Sequence, residues 1–210
     1  MSEFSYIPES PEQSPFNNQG IFSPTDIYNL DEIDKWTQLG QLDHIQTQSG
    51  SGVAQIDFTA IKQAEYNIHL LHITDFNVAT DGQPTAIRLS NESDFLTSSY
   101  QWANTTARSG GTFEENKSTS STYLEIARLN GNTTNEKLSG YVYFYNLGKN
   151  DKFSFLTNIT VYTNEFSAEM MTCFGGGVHP TKEVIKSIRL TTTSGNVSAT
   201  SVSLYGVKGY

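Results

Sequence analysis

The chain has 210 residues and 23.3 kDa, with 13 Lys and Arg against 22 Asp and Glu, a formal net charge of −9. That balance argues against nucleic acid or an anionic membrane as partner, because such binding starts by neutralising phosphate with cations. No apolar run nears the ~18–20 residues that span a bilayer, and the lone Cys173 excludes an intrachain disulfide framework or a cysteine-based zinc site.

The amino-terminal residues 1–48 hold four of the six prolines, with eight acids against one base, Lys35. The opening MSEFSYIPESPEQSP has neither a basic nor an apolar signal region, so cytoplasmic synthesis without a leader is expected. Residues 1–20 show no period and read as an extended arm. The segment FSPTDIYNLDEIDKW then predicts a short helix over about 24–34. Ser23 is the N-cap, Pro24 takes the first helical position, and Asp26 completes a capping box. Phe22 and Ile27 have the spacing of a hydrophobic staple. Ile27, Leu30 and Ile33 form a narrow stripe, with Tyr28 and Trp36 nearby. An isolated helix of ~10 residues is marginal in water, so these six apolar residues are the expected docking elements of the arm. Ser49-Gly50-Ser51-Gly52 has linker composition, which predicts an arm of 1–48 and a body of 49–210.

In the body the period changes to 2. Ser, Thr and Asn number 23, 24 and 16, which together with the aromatics fits strands joined by polar turns. Strand patterns recur around 56–60, 66–73, 87–89, 123–128, 140–146, 153–163, 169–174, 183–193 and 199–207, separated by Asp-Gly, Asn-Gly and Gly-rich turn signals. The expected fold is all-β: an antiparallel, jelly-roll-like sandwich of eight to ten strands, with an extended N-terminal arm carrying one helix. The polar stretch Asn91–Ser121 reads as an excursion at one end.

Candidates for chemistry are few. His69 and His72 point to opposite faces of a strand and cannot share a metal. The glycine run before His179 lacks the Lys-Ser or Lys-Thr of a phosphate loop and is expected at a sandwich corner or a close subunit approach. Cys173 reads as a buried thiol. No catalytic residue, metal or cofactor site is expected. Tyr141, Tyr143 and Tyr145 share one face, as a subunit interface, a sugar-binding surface or plain cross-strand packing would require. Tyr100 and Trp102 fall in the polar excursion, as glycan or receptor contacts or as plugs onto the core.

Two segments, NNQGIFSPTDIYNLDEIDKW at 17–36 and IKSIRLTTTSGNVSATSVSLYGVKGY at 185–210, resemble structural proteins of tailed bacteriophages. The first resembles a Pro-rich lead into a capped helix, the second the closing strands of sandwich domains in tail-fibre and capsid-decoration proteins. The resemblance implies a virion part: a short tail-fibre or receptor-binding appendage, or else a capsid decoration or head-fibre protein. Its implied partners are other virion proteins, further copies of itself as in trimeric fibre heads, and a host-surface glycan. A glycan-active enzyme or carbohydrate-binding module is the alternative from another class.

Overall fold

The computed structural model describes residues 13–14, 17–18, 23–33, 40–92, 94–164 and 169–209. The chain divides into two units, Met1–Gln41 and Leu42–Tyr210. In the first, β1 (Gln13–Ser14) pairs antiparallel with β2 (Asn17–Asn18), and α1 spans Pro24–Glu32. The capping box forms: the Asp26 amide donates to Ser23 Oγ at 3.2 Å, and the Ser23 amide donates to Asp26 Oδ2 at 2.8 Å. The Ser23 hydroxyl also donates to Asp26 and holds that carboxyl below its ordinary pKa. Along the helix Leu30 is buried and Ile27 half-buried, whereas Tyr28 and Ile33 are exposed. Phe22 and Trp36 lie outside the described residues.

The second unit holds twelve strands among its described residues: β3 (Leu42–Val53), β4 (Gln55–Phe58), β5 (Ile68–Val78), β6 (Gln83–Ser90), β7 (Tyr100–Arg108), β8 (Phe113–Ser121), β9 (Leu124–Asn130), β10 (Leu138–Tyr145), β11 (Ser154–Thr163), β12 (Met170–His179), β13 (Ser187–Thr192) and β14 (Val197–Val207). All pairings are antiparallel, in one sheet ordered β3-β14-β5-β10-β11-β12-β7-β8 and another ordered β4-β13-β6-β9. Eight of these strands make a jelly roll. Without the hairpins β7-β8 and β11-β12, the sheets read β3-β14-β5-β10 and β4-β13-β6-β9, with consecutive strands alternating between them except for β6 and β9, which pair in the smaller sheet. The two hairpins enter from separate points in the chain and join side by side beyond β10.

The jelly-roll core is apolar. Leu71, Ile73, Val142, Phe144, Val202 and Leu204 of the larger sheet face Ile56, Phe58, Ile87, Leu89, Ile188 and Leu190 of the smaller, each at most 4% exposed. This is the period-2 pattern of the sequence realised as a sandwich interior.

Two expectations are corrected here. Ser49–Gly52 is part of β3 and not a linker. Gly50 and Val53 pair with Ala199 and Val197, the Gly52 amide donates to Ser198 Oγ, and Asn196 Nδ2 donates to the Gly52 carbonyl. Backbone ladders need no side chain, so a Ser-Gly run serves on an edge strand wherever its neighbour offers partners. The boundary therefore falls before Leu42. The stretch 91–121, read as an excursion, contains the hairpin β7-β8. Its alternation is polar on both faces and gives no hydrophobic period.

A fragment of residues 42–210 is expected to unfold cooperatively on heating. The shorter 49–210, which strips most of β3 and bares β14, should melt at clearly lower temperature. Equal melting temperatures by circular dichroism would contradict the role given to β3.

Candidate functional site: an added sheet with its polarity reversed

Strand β9 ends the smaller sheet: β6 pairs along one side, and on the other a lone bridge joins Asn130 to Asn164 among the described residues. An edge strand inside a sandwich leaves backbone carbonyls and amides without partners, at a cost of ~1–3 kcal/mol for each one buried. The added strands supply those partners. Asn104 Nδ2 of β7 donates to the Glu125 carbonyl at 2.7 Å. Thr160 Oγ1 and Asn158 Nδ2 of β11 both donate to the Ile126 carbonyl, at 2.7 and 3.3 Å. The Arg128 amide donates to the Tyr162 hydroxyl at 3.0 Å. The inward positions here are polar because they hydrogen-bond an edge.

The glycine run of β12 makes room for this contact. A Cβ on Gly175 would meet the Ala103 carbonyl and Asn104 Oδ1 at 2.3 Å, and one on Gly177 would meet Leu124 Cδ2 at 2.5 Å. The run therefore lies in mid-strand, where β9 and Asn104 approach closely, and not at the corner the sequence predicted. Cys173, beside it on the inner face, is buried, and that burial pushes its thiol up to about 11.

With polar groups turned inward, the apolar residues of the added strands point out. Phe155, Ile159 and Val161 of β11, Met170 and Phe174 of β12, and Tyr141 of β10 are 38–45% exposed. Cross-strand register orders them into rows. Tyr141, Ile159, Phe174 and Thr105 form one ridge, and Tyr145, Phe155, Val178 and Gln101 another. Between the ridges runs the row Tyr143, Thr157, Gly176 and Ala103, which narrows to small residues at Gly176 and Ala103. A depression of about 410 Å³ opens beside Phe174, Ala103 and Thr105, with Glu115 and Lys117 of β8 at its rim. None of the outward positions on β7, β10, β11 and β12 carries Asp, Glu, Lys or Arg. The three tyrosines expected on one face are brought together on this surface. The five larger residues of β11 and β12 were missed, because both faces of β11 mix apolar and polar residues and period 2 does not say which face is in.

The other candidate pair separates. Tyr100 is fully buried, and the Leu89 amide donates to its hydroxyl at 2.8 Å while its ring lies 5.2 Å from that of His179. It is a core residue and cannot contact a receptor. Trp102, half-buried on the inner face of β7, packs against the core and lines a groove of about 350 Å³ with Tyr123, Glu125, Arg128 and Pro84. Glu125 is 5% exposed, and burial pushes its carboxyl up to about 7, against a weaker downward pull from Arg128. No hydrogen bond reaches Glu125 Oε1 or Trp102 Nε1. The groove thus offers two rings, a carboxyl and a guanidinium at the seam between the sheets. His69 is buried against the Ile61 carbonyl at 2.8 Å and His72 is exposed, opposite faces as their spacing predicts. His179 Nε2 lies 2.6 Å from Glu183 Oε1.

Among the described residues no helix is long and apolar enough to cross a membrane. In comparisons with protein-family models, curated proteins and solved structures, nothing significantly matches the chain.

Proposed function

We propose that this chain is a structural protein of a bacteriophage particle, a short tail-fibre or receptor-binding appendage that works by binding. The amino-terminal arm attaches it and the jelly roll is presented to the host surface. The observation that supports a binding role best is the outward face of the added sheet. A chain that leaves six large apolar side chains on one uncharged plane matches a part made to be covered in an assembly. The helix supports the attachment role: its start is fixed by a formed capping box, yet nine residues are too few to persist by propensity alone. Tyr28 in the helix and Ile33 just after it, both exposed and apolar, are the residues its partner would hold. The Trp102–Tyr123 groove is where a sugar ring would be received, stacked on an aromatic face.

The test is a double substitution of the exposed pair, Tyr28→Asp with Ile33→Asp. The variant should keep the circular dichroism of the wild type and be missing from purified particles by immunoblot. If the wild-type chain is absent from every purified particle of its source, or if the variant is incorporated normally, the reading fails.

A further inference from the structure

The uncharged outward face has a shape as well as a composition. Two ridges, Tyr141–Ile159–Phe174 and Tyr145–Phe155–Val178, flank a row that falls to Gly176 and Ala103. On a sheet, alternate residues of one strand stand about 6.6 Å apart, so neighbouring ridges are separated by about 13 Å with the low row midway. A ridge is therefore as far from the low row as the low row is from the other ridge. A second copy turned about a two-fold axis that lies in the plane of contact, along the rows and midway between ridge and low row, can set Phe174 over Gly176 and Thr105 over Ala103 while receiving the same ridge in return. That reciprocity is what an isologous interface needs.

Charge selects the same occupant. Each copy carries −9, most of it on residues 1–48, and two copies repel over the ~8 Å that salt leaves unscreened. The cheapest approach is through the part of the surface without charge, which is this plane. An isologous contact sets residues near their own kind, and the outward positions of these four strands bring no like charges together. Four strands about 4.8 Å apart make a plane of roughly 500 Å². Its corrugation and the flanking Ile68 and His72 of β5 bring it towards the ~800 Å² per partner of a standard interface.

We infer that the outward face of β10-β11-β12-β7 binds a second copy of this chain, ridge into low row, as a two-fold dimer. The inference rests on the reading of that face as one made to be covered, and it names the cover. The dimer is the unit that the arm would carry to a particle, so it forms whether or not a particle is present.

Sedimentation velocity of the full-length chain, from 1 to 100 µM, tests it with two variants on separate strands. Ile159→Lys places a charge on the ridge, and Ala103→Lys fills the low row. The wild type should sediment at twice the 23.3 kDa chain mass in the upper range, and each variant should be monomeric with a dissociation constant raised at least a hundredfold. Should either lysine variant lose its strand-type circular dichroism, Ile159→Thr replaces it, with a tenfold rise expected. A wild type monomeric at 100 µM overturns the inference. So does a trimer, or a dimer that survives the substitutions. Particle incorporation is a separate readout: a dimer that is never found on a particle would sink the proposed function and leave this inference standing.

Discussion

Glu125→Gln is expected to stabilise the folded protein by about 3 kcal/mol at pH 8 and by little at pH 4. Glu125 lies on β9 at 5% exposure, with one carboxyl oxygen sealed from water and without a partner. Its folded pKa stands at about 7 against an ordinary 4.5, with burial the larger cause and Arg128 opposing it. The folded state therefore holds a proton that the unfolded chain has already released. Stability is full below about pH 4.5, declines as pH rises through the window to about 7, and levels off above it. A shift of roughly 2.5 pH units corresponds to about 3 kcal/mol at 1.36 kcal/mol per unit. Glutamine keeps the shape and cannot ionise, so the variant should lose that decline. Urea titrations at pH 4, 6 and 8 measure it. An equal difference between the two proteins at all three values would mean that Glu125 stays ionised in the fold, paired with Arg128.

The second large effect concerns the edge of β9. Replacing Asn158 by Leu together with Thr160 by Val removes both donors from the Ile126 carbonyl while keeping side-chain volume close to native. A buried acceptor left bare costs ~1–3 kcal/mol, and the Cys173 thiol near Asn158 loses its neighbour as well. The double variant should be destabilised by about 3 kcal/mol, even though it is more hydrophobic than the wild type. The outward neighbour Thr157→Val serves as control and should shift stability by less than ~0.5 kcal/mol. If the double variant is as stable as the control, the polar inner face is not what docks β9.

These effects mark the limits of what the sequence reveals. The jelly-roll strands were legible where inward residues such as Ile56, Phe58, Ile188 and Leu190 are apolar and the outward residues between them, Asp57 and Arg189, are not. Strand β11 was legible as a strand but not in orientation. Its two sets, Ser154-Leu156-Asn158-Thr160-Tyr162 and Phe155-Thr157-Ile159-Val161, are both mixed, and hydrophobicity alone would bury the second. The structure buries the first, because Asn158, Thr160 and Tyr162 reach the carbonyls and amide of an edge that appears only once the sheets are assembled. For the same reason β7 read as a loop, which left Tyr100 and Trp102 open between surface contacts and plugs onto the core. Strand β3 was hidden by its Ser-Gly run, whose pairing depends on β14, some 150 residues away in the chain. Local signals fared best where physics is local, as in the Ser23–Asp26 capping box. The attachment role given to Ile27, Leu30 and their neighbours awaits the particle.

Met170 and Met171 are adjacent in β12 and point to opposite faces, the first 45% exposed and the second fully buried. A slip of one residue in the register of the added sheet would exchange them. Mild peroxide oxidation of the full chain at sub-micromolar concentration, followed by peptide mapping, therefore reads directly which face is out. The reversed polarity of this sheet predicts sulfoxide at Met170 within minutes while Met171 stays reduced until the protein unfolds. Oxidation of Met171 before Met170, or of both at one rate, would contradict it.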